Sequence, residues 1–293
     1  MSDGGRMRPV DTGLGAMATL VWAGAFIVTD AALQHTAPIA FAAMRFVISA
    51  AFVLVVPRPA VGWRPLLAIG LLLGVGQHAG IFLGMALGVP PGMAALLAHT
   101  QSFFTLAMAW ALIGERLTPR KVAAFTLALA GLGLLMAERG TPMPLLAMLS
   151  VLAASISAAT GNLILRRLGG ADPVGIAAWM SAVAAPGLVA LSMIVEGPGP
   201  VIAIATQWNT TLVLAGLYSG VLSGLGAYTI WARLFGRYEA HRVAPFMLLV
   251  PVGAIVLSVA WFGERLTPWR AAAALAILAG LALNLVPSRR SAR

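Results

Sequence analysis

Cysteine is absent from the chain, and charge is scarce: only 10% of its 293 residues are Asp, Glu, Lys or Arg. The first absence excludes disulfides, thiolate zinc sites and cysteine nucleophiles. The second excludes an ordinary soluble domain, in which about 25% of residues are charged, because this chain cannot cover itself with a solvated surface. With 60% hydrophobic side chains and a mean hydropathy of +0.93, it reads as a polytopic membrane protein. Secreted scaffolds, disordered tails and cytosolic enzymes are excluded with it. Acid is the scarcer sign, 9 residues against 19 Lys and Arg, for a net charge of +10. Such a balance can signal nucleic acid, so the basic residues must first be placed relative to a membrane.

A helical span needs about 20 mostly apolar residues, because hydrocarbon cannot satisfy a bare backbone. Runs of that kind predict ten spans: 14–33, 38–56, 64–87, 90–114, 119–136, 142–164, 173–195, 210–234, 241–262 and 268–287. The links leave little room for a soluble domain, which argues against a sensor or scaffold. The first run leads directly into a second, so no cleaved signal peptide is expected. With the N-terminus in the cytoplasm, fifteen of the nineteen basic residues fall on the cytoplasmic side. Arg139, Arg265 and Arg270 fall outside, and Arg45 lies within span 2. This positive-inside bias places both termini in the cytoplasm and accounts for the charge through anionic lipid, without nucleic acid.

The hexapeptide GERLTP occurs at Gly114–Pro119 and again at Gly263–Pro268. Carried at the same offset to Leu134 and Leu283, the match includes Glu115/Glu264, Ala130/Ala279 and Gly131/Gly280. The chain therefore reads as a duplication, 1–137 and 138–293, of five spans each. Five is odd, so the second copy enters from the opposite side, as in secondary transporters whose halves rock about a midplane site. Glycines four apart, Gly76, Gly80 and Gly84 in span 3 and Gly216, Gly220 and Gly224 in span 8, suggest a second correspondence between the halves. Such stripes let helices approach closely and read foremost as packing.

Each fourth span ends in a GERLTP turn, followed by helices carrying LAGLGLL and LAGLALN. With ten spans in two halves, this resembles the drug/metabolite transporter superfamily, EamA type. The run RYEAHRVAPFMLLVPVG (Arg237 to Gly253) and the pair Arg45–Phe46 are similar to its bacterial amino-acid and metabolite exporters. The resemblance implies an all-α membrane protein, ten transmembrane helices as two inverted five-helix repeats around a central cavity formed mainly by spans 1, 3, 4, 6, 8 and 9. It implies an exporter in the bacterial inner membrane. One departure is that Ser102 stands where the family often has a proline matching Pro251, so a hinge is expected in span 9 more than in span 4.

Polar groups deep in a bilayer usually face a cavity or a neighbouring helix. Gln77, His78, His99 and Gln101 lie near the centres of spans 3 and 4, Ser155 and Ser157 in span 6, Tyr218 in span 8. His78 lies about 200° around the helix from Gly76, away from the glycine stripe, so it faces the cavity or bonds a carbonyl of another helix. Ser155, Ser157 and Thr160 more readily bond back to their own helix. Trp63, Trp208, Trp231, Trp261 and Trp269 fall near span ends and suit an interfacial belt. Trp22 and Trp179 lie deeper, where a ring can meet a ligand. The Tyr218 hydroxyl needs a partner, a ligand or Ser157.

No acidic residue occupies the central third of any span, which speaks against a proton-coupled exporter of cationic drugs. Asp30 is placed to bridge Arg45, whose alternative is to hold a substrate carboxylate. Glu115 and Glu264 sit at span ends, to pair with Arg116 or Arg265 or to fix the turn. The expected site is thus Trp22, Gln77, His78, His99, Gln101, Trp179 and Tyr218, with no catalytic residue, cofactor or metal. Gln77, His78 and Gln101 are the expected donors to a substrate carboxylate. The expected partners are a small-molecule substrate and membrane lipid, with a monomer plausible because both halves lie in one chain. Neutral or aromatic amino acids, moved by alternating access, suit the site better than phosphorylated sugars. Multidrug efflux by the same fold is the alternative. An intramembrane hydrolase is remote, since Ser223 has no histidine in spans 6 to 8 to activate it.

Overall fold

The computed structural model describes residues 7–113, 118–137, 143–168, 172–238 and 240–285, and among these it contains helices and no strands. The first half opens with α1 (Pro9–Leu33) and α2 (Pro38–Ala50). A composite rod follows: α3 (Trp63–Ile69), a π-helical stretch (Gly70–Gly76) and α4 (Gln77–Ala86). Next come α5 (Pro91–His99) and α6 (Gln101–Ile113), parted at Thr100, then α7 (Pro119–Met136). The second half runs α8 (Leu145–Arg167), α9 (Pro173–Val195) and a short α10 (Pro198–Thr206). A second composite rod, α11 (Thr210–Leu217), a π stretch (Tyr218–Ala227) and α12 (Tyr228–Arg237), precedes α13 (Ala240–Phe262) and α14 (Pro268–Leu285).

Local chemistry explains where these helices begin. Seven of them, α1, α2, α5, α7, α9, α10 and α14, begin with proline, where its missing N–H would have lacked an intrahelical partner anyway. Asp172 caps α9 by accepting from the Val174 and Gly175 amides, and Asn209 caps α11 by accepting from Leu212. Gly263 ends α13 at φ +63°, a conformation side chains resist.

Seven of the rods are long and apolar enough to cross a bilayer, and Pro38–Leu54 and Pro268–Asn284 are shorter apolar helices. Outward-facing Leu20, Leu71, Leu149, Val256 and Leu275 are exposed, as side chains meant for lipid would be. The helix α10 lies in a stretch read from sequence as a bare link; its nine residues are too few to span.

Contacts between the halves recur with the halves exchanged. A Cβ at Gly131 of α7 would lie 2.9 Å from the Ala273 carbonyl of α14, and one at Gly280 would lie 2.6 Å from the Ala124 carbonyl of α7. Ala124 and Ala273 stand at the same offset as the two hexapeptides, so this is a self-complementary contact, and the two helices run antiparallel. The first hexapeptide itself lies outside the described residues at Gly114 to Leu117.

The same exchange corrects the expected glycine correspondence. Gly220 packs against the Arg45 carbonyl and Ile48 of α2, while Gly70 packs against the Met180 carbonyl and Val183 of α9. Gly224 meets Ser49 and Gly74 meets Ala184. The partner of the second stripe is therefore Gly70 and Gly74. Gly76, Gly80 and Gly84 lie on another face, against Ser157, Ala154 and Val151 of α8. Spacing alone could not tell two faces of one helix apart.

Two glutamates cap helices remote in sequence. Glu196 accepts from the Ile39 and Ala40 amides at the start of α2, at 2.7 and 2.9 Å. Glu264 accepts from Ser258 and from the Gly92 amide in the first turn of α5, with Arg270 near. The expected pairing with Arg265 gives way to these, because an open helix N-terminus offers N–H groups and a favourable dipole. Glu115 and Arg116 lie outside the described residues.

Candidate central cavity

A cavity of about 860 Å³ lies between the two halves. From Thr29 of α1 it runs past Trp22 to Leu168, Pro173, Phe235, Gly236 and Asn284, at helix ends. On the other side of Thr29, Ala32, Met93 and Ile255 belong to the main buried core. Among the described lining residues, those at helix ends lie on one side of the passage.

Both π stretches border this space, and their carbonyls are spoken for. A π turn widens the helix and loosens the regular hydrogen-bond ladder. In the second, Trp22 Nε1 donates to the Ser223 carbonyl at 3.0 Å and Ser49 donates to Gly220 at 2.7 Å. In the first, Ser157 donates to Leu72 at 2.8 Å, and His78 Nδ1 lies 2.9 Å from the Leu73 carbonyl. Ser157 bonds a neighbouring helix, whereas Ser155 and Thr160 also bond back to Val151 and Ile156 on their own.

The interruption at Thr100 has a similar origin. Thr100 Oγ1 donates to the Leu97 carbonyl at 2.6 Å, and Ser155 reaches the same carbonyl at 3.0 Å. The same carbonyl also accepts the Thr100 amide at 3.0 Å, three residues on, so two hydroxyls and a tightened turn occupy it where the rod parts without proline. The break falls in span 4, while α13 stays continuous through Pro245 and Pro251, the reverse of the expected hinge.

Five of the seven expected site residues line the cavity together: Trp22, Gln77, His78, His99 and Gln101. Two do not. Trp179 donates to the Val56 carbonyl and meets Trp63 edge-on, at the end of the bundle. Tyr218 donates to the Val21 carbonyl at 3.0 Å, so neither a ligand nor Ser157 is its partner. The His78 partner is likewise a carbonyl of its own helix rather than a neighbour's, and its ring stands edge-on to Phe46 at 4.8 Å.

A carbonyl only accepts, so Nδ1 of His78 carries hydrogen, as does Nδ1 of His99 toward Ala95 at 2.8 Å. In the neutral ring the other nitrogen is then an acceptor, which removes His78 as a donor to a carboxylate. Gln101 Oε1 accepts from Asn162 at 3.1 Å, and its own N–H groups have no partner among the described residues.

Arg45 also lines the cavity, over the Phe46 ring at 5.1 Å. The expected bridge to Asp30 is absent: among the described residues the guanidinium makes no ion pair, and its Nε is buried without a partner. None of the described lining residues is acidic.

The EamA-like transporter family matches residues 13–137 and again 145–286. The chain belongs to this family of transporters. It is 32% identical to a probable amino-acid metabolite efflux pump of Salmonella typhimurium strain LT2, over 98% of this chain and 99% of that protein. A protein of the same description in Escherichia coli K12 is 30% identical, over 95% and 96%. A crystal structure at 23% identity aligns over 98% of this chain and all of that one with a TM-score of 0.63, which shows a shared fold. Membrane embedding and a small-molecule substrate follow from the family.

In this EamA-like chain the sequence reading missed Trp231 and Asn162. Trp231 was placed in the interfacial belt; it is buried, packs on Trp22 at 5.4 Å and lines the cavity. Its depth was hidden because the second composite rod extends to Arg237. Asn162 lies one helical turn from Ala158 and two from Ser155, which pack inward, and that periodicity was the available signal. Trp208 and Trp261, by contrast, are largely exposed, as belt residues are.

Proposed function

We propose that this chain is a secondary transporter of the bacterial inner membrane that exports small metabolites, neutral and aromatic amino acids above all, by alternating access. Ten spans in two inverted five-helix halves, 1–137 and 138–293, would carry it, with both termini cytoplasmic as the positive-inside bias demands. The shorter apolar helices and the interrupted α5–α6 rod supply the three spans beyond the seven long ones. The antiparallel, self-complementary contact of α7 with α14 supports the inversion. In this orientation the cavity reaches the helix ends that carry Arg166, Arg167 and Arg237, a state open to the cytoplasm and ready to load.

The observation that carries the reading is the chemistry of the lining. Aromatic rings (Trp22, Phe26, Phe82, Trp231) and neutral polar groups (Gln77, Gln101, Asn162) surround the space, with no described acid among them. A cationic drug would leave water for a site without a counter-charge, a costly exchange, so multidrug efflux of cations fits poorly. The similarity to two bacterial proteins described as probable amino-acid metabolite efflux pumps supports amino-acid metabolites as cargo.

Proteoliposomes loaded with labelled phenylalanine, leucine and alanine test this directly. Protein-dependent efflux is expected, insensitive to an imposed pH gradient if transport is facilitated diffusion. Absence of efflux for every amino acid tried would overturn the cargo assignment.

A further inference from the structure

We infer that Arg45 is the carboxylate-binding residue of the cavity, and that the cargo is recognised as a carboxylate bearing an apolar tail, with its ammonium group dispensable. This rests on the exporter reading and sharpens its substrate class.

The first support is that the charge stands alone. Arg45 is 9% exposed, faces the cavity and has no acidic partner among the described residues. A guanidinium does not lose its proton in a protein, and an uncompensated buried charge is strongly destabilising. The ring of Phe46 offsets part of that cost by a cation–π contact. An incoming carboxylate, held by two parallel N–H···O bonds, offsets far more.

The second support is that the packing does not require a charge here. Arg45 and Met180 are each the eighth residue of their helix, α2 and α9. Their backbones make the same contact, the Arg45 carbonyl with Gly220 and the Met180 carbonyl with Gly70. Both side chains line the cavity. Where one half has a thioether, the other has a cation, so the same packing position accepts an apolar side chain. The cavity is polarised as a result, with Arg45 and Gln77 able to meet a head group and Met180 and Ile176 to meet a tail.

The third support concerns what the amine would find. With Nδ1 of His78 and His99 tied to carbonyls, the rings offer neutral acceptors and no negative charge. An ammonium placed here would face the like charge of Arg45 without a counter-ion. A 2-oxo acid of the same tail avoids that repulsion.

The experiment uses purified full-length protein in detergent, following tryptophan fluorescence with L-phenylalanine, phenylpyruvate and phenethylamine. The same three compounds then compete for labelled phenylalanine efflux in proteoliposomes. Phenylpyruvate is expected to bind at least as tightly as phenylalanine, and phenethylamine at least about tenfold more weakly. Arg45→Gln should erase the preference for the two acids and Arg45→Lys should restore part of it. If Arg45→Gln does not fold, the wild-type ranking decides by itself. Phenethylamine binding as well as the acids, or an Arg45→Gln protein that keeps the wild-type preference, would overturn the inference while leaving phenylalanine export standing. If none of the three binds or competes, the inference falls together with the assignment of aromatic amino acids as cargo.

Discussion

At the scale of single residues, hydrogen-bond accounting separates side chains that hold the cavity wall from those left open to a ligand. Trp22 does both: its indole N–H holds the Ser223 carbonyl of a π stretch and its ring packs on Trp231 at the cavity surface. Trp22→Phe keeps most of the ring and removes the donor. Leaving a buried acceptor unsatisfied costs about 1–3 kcal/mol, so efflux should fall several-fold while the amount of protein in the membrane stays near wild type. Immunoblotting of membranes beside an efflux assay checks both. Trp179→Phe, whose indole bonds Val56 outside the cavity, should leave the rate unchanged. Much of this was legible in advance. Five of the seven expected residues do line one space, because polar groups at mid-depth have few places to go. Trp179 and Tyr218 escaped the expectation because their helices turn them elsewhere, Trp179 against Trp63 and Val56 and Tyr218 against Val21 of α1, and depth along a helix does not tell which face meets the cavity.

Elements make their own predictions where backbones touch. Gly131 meets the Ala273 carbonyl, whereas Gly133, two residues on, has nothing within 4 Å of where a Cβ would stand. Gly131→Ala should therefore destabilise by about 1–3 kcal/mol through overpacking, and Gly133→Ala should be neutral or stabilising by up to about 1 kcal/mol. Thermal unfolding in detergent distinguishes the two, and Gly280→Ala should mimic Gly131→Ala.

The turn after α13 gives a pH signature. Burial raises the Glu264 carboxyl above its ordinary 4.5, and Asp30 adds to the rise; Ser258, Arg270 and the Gly92 amide oppose it without cancelling it. A raised value means that the folded protein holds this proton more tightly than the unfolded chain. Its stabilising contribution is therefore complete below the ordinary value and lost as pH climbs through the raised one. Unfolding temperature should fall with rising pH across that window, and Glu264→Gln should flatten the dependence.

On the scale of the whole molecule, the proposal that one half is inverted against the other has a direct labelling test. The chain has no cysteine, so single cysteines can be introduced without background. Thr118→Cys lies within the first hexapeptide and Leu266→Cys within the second. In intact cells an impermeant maleimide should label Leu266→Cys alone, with Thr118→Cys reacting only after the membrane is opened. Labelling of both from outside would remove the inversion and, with it, the route proposed for the cargo.

Composition and hydropathy were enough to decide that the chain lives in a membrane as helices, and the two hexapeptides were enough to reveal the doubling. Both properties are local or one-dimensional: a run of apolar residues must bury its backbone within itself, and a repeat is visible along the chain. What needed three dimensions was every question of partners. Only the assembled bundle showed that Gly220 answers to Gly70, that Glu264 caps α5, that span 4 breaks at Thr100, and that Arg45 occupies the position equivalent to Met180 with no acid among the described residues to neutralise it. Each of these depends on which helix faces which, and side chains far apart in sequence settle that by competing for the same carbonyls and the same space.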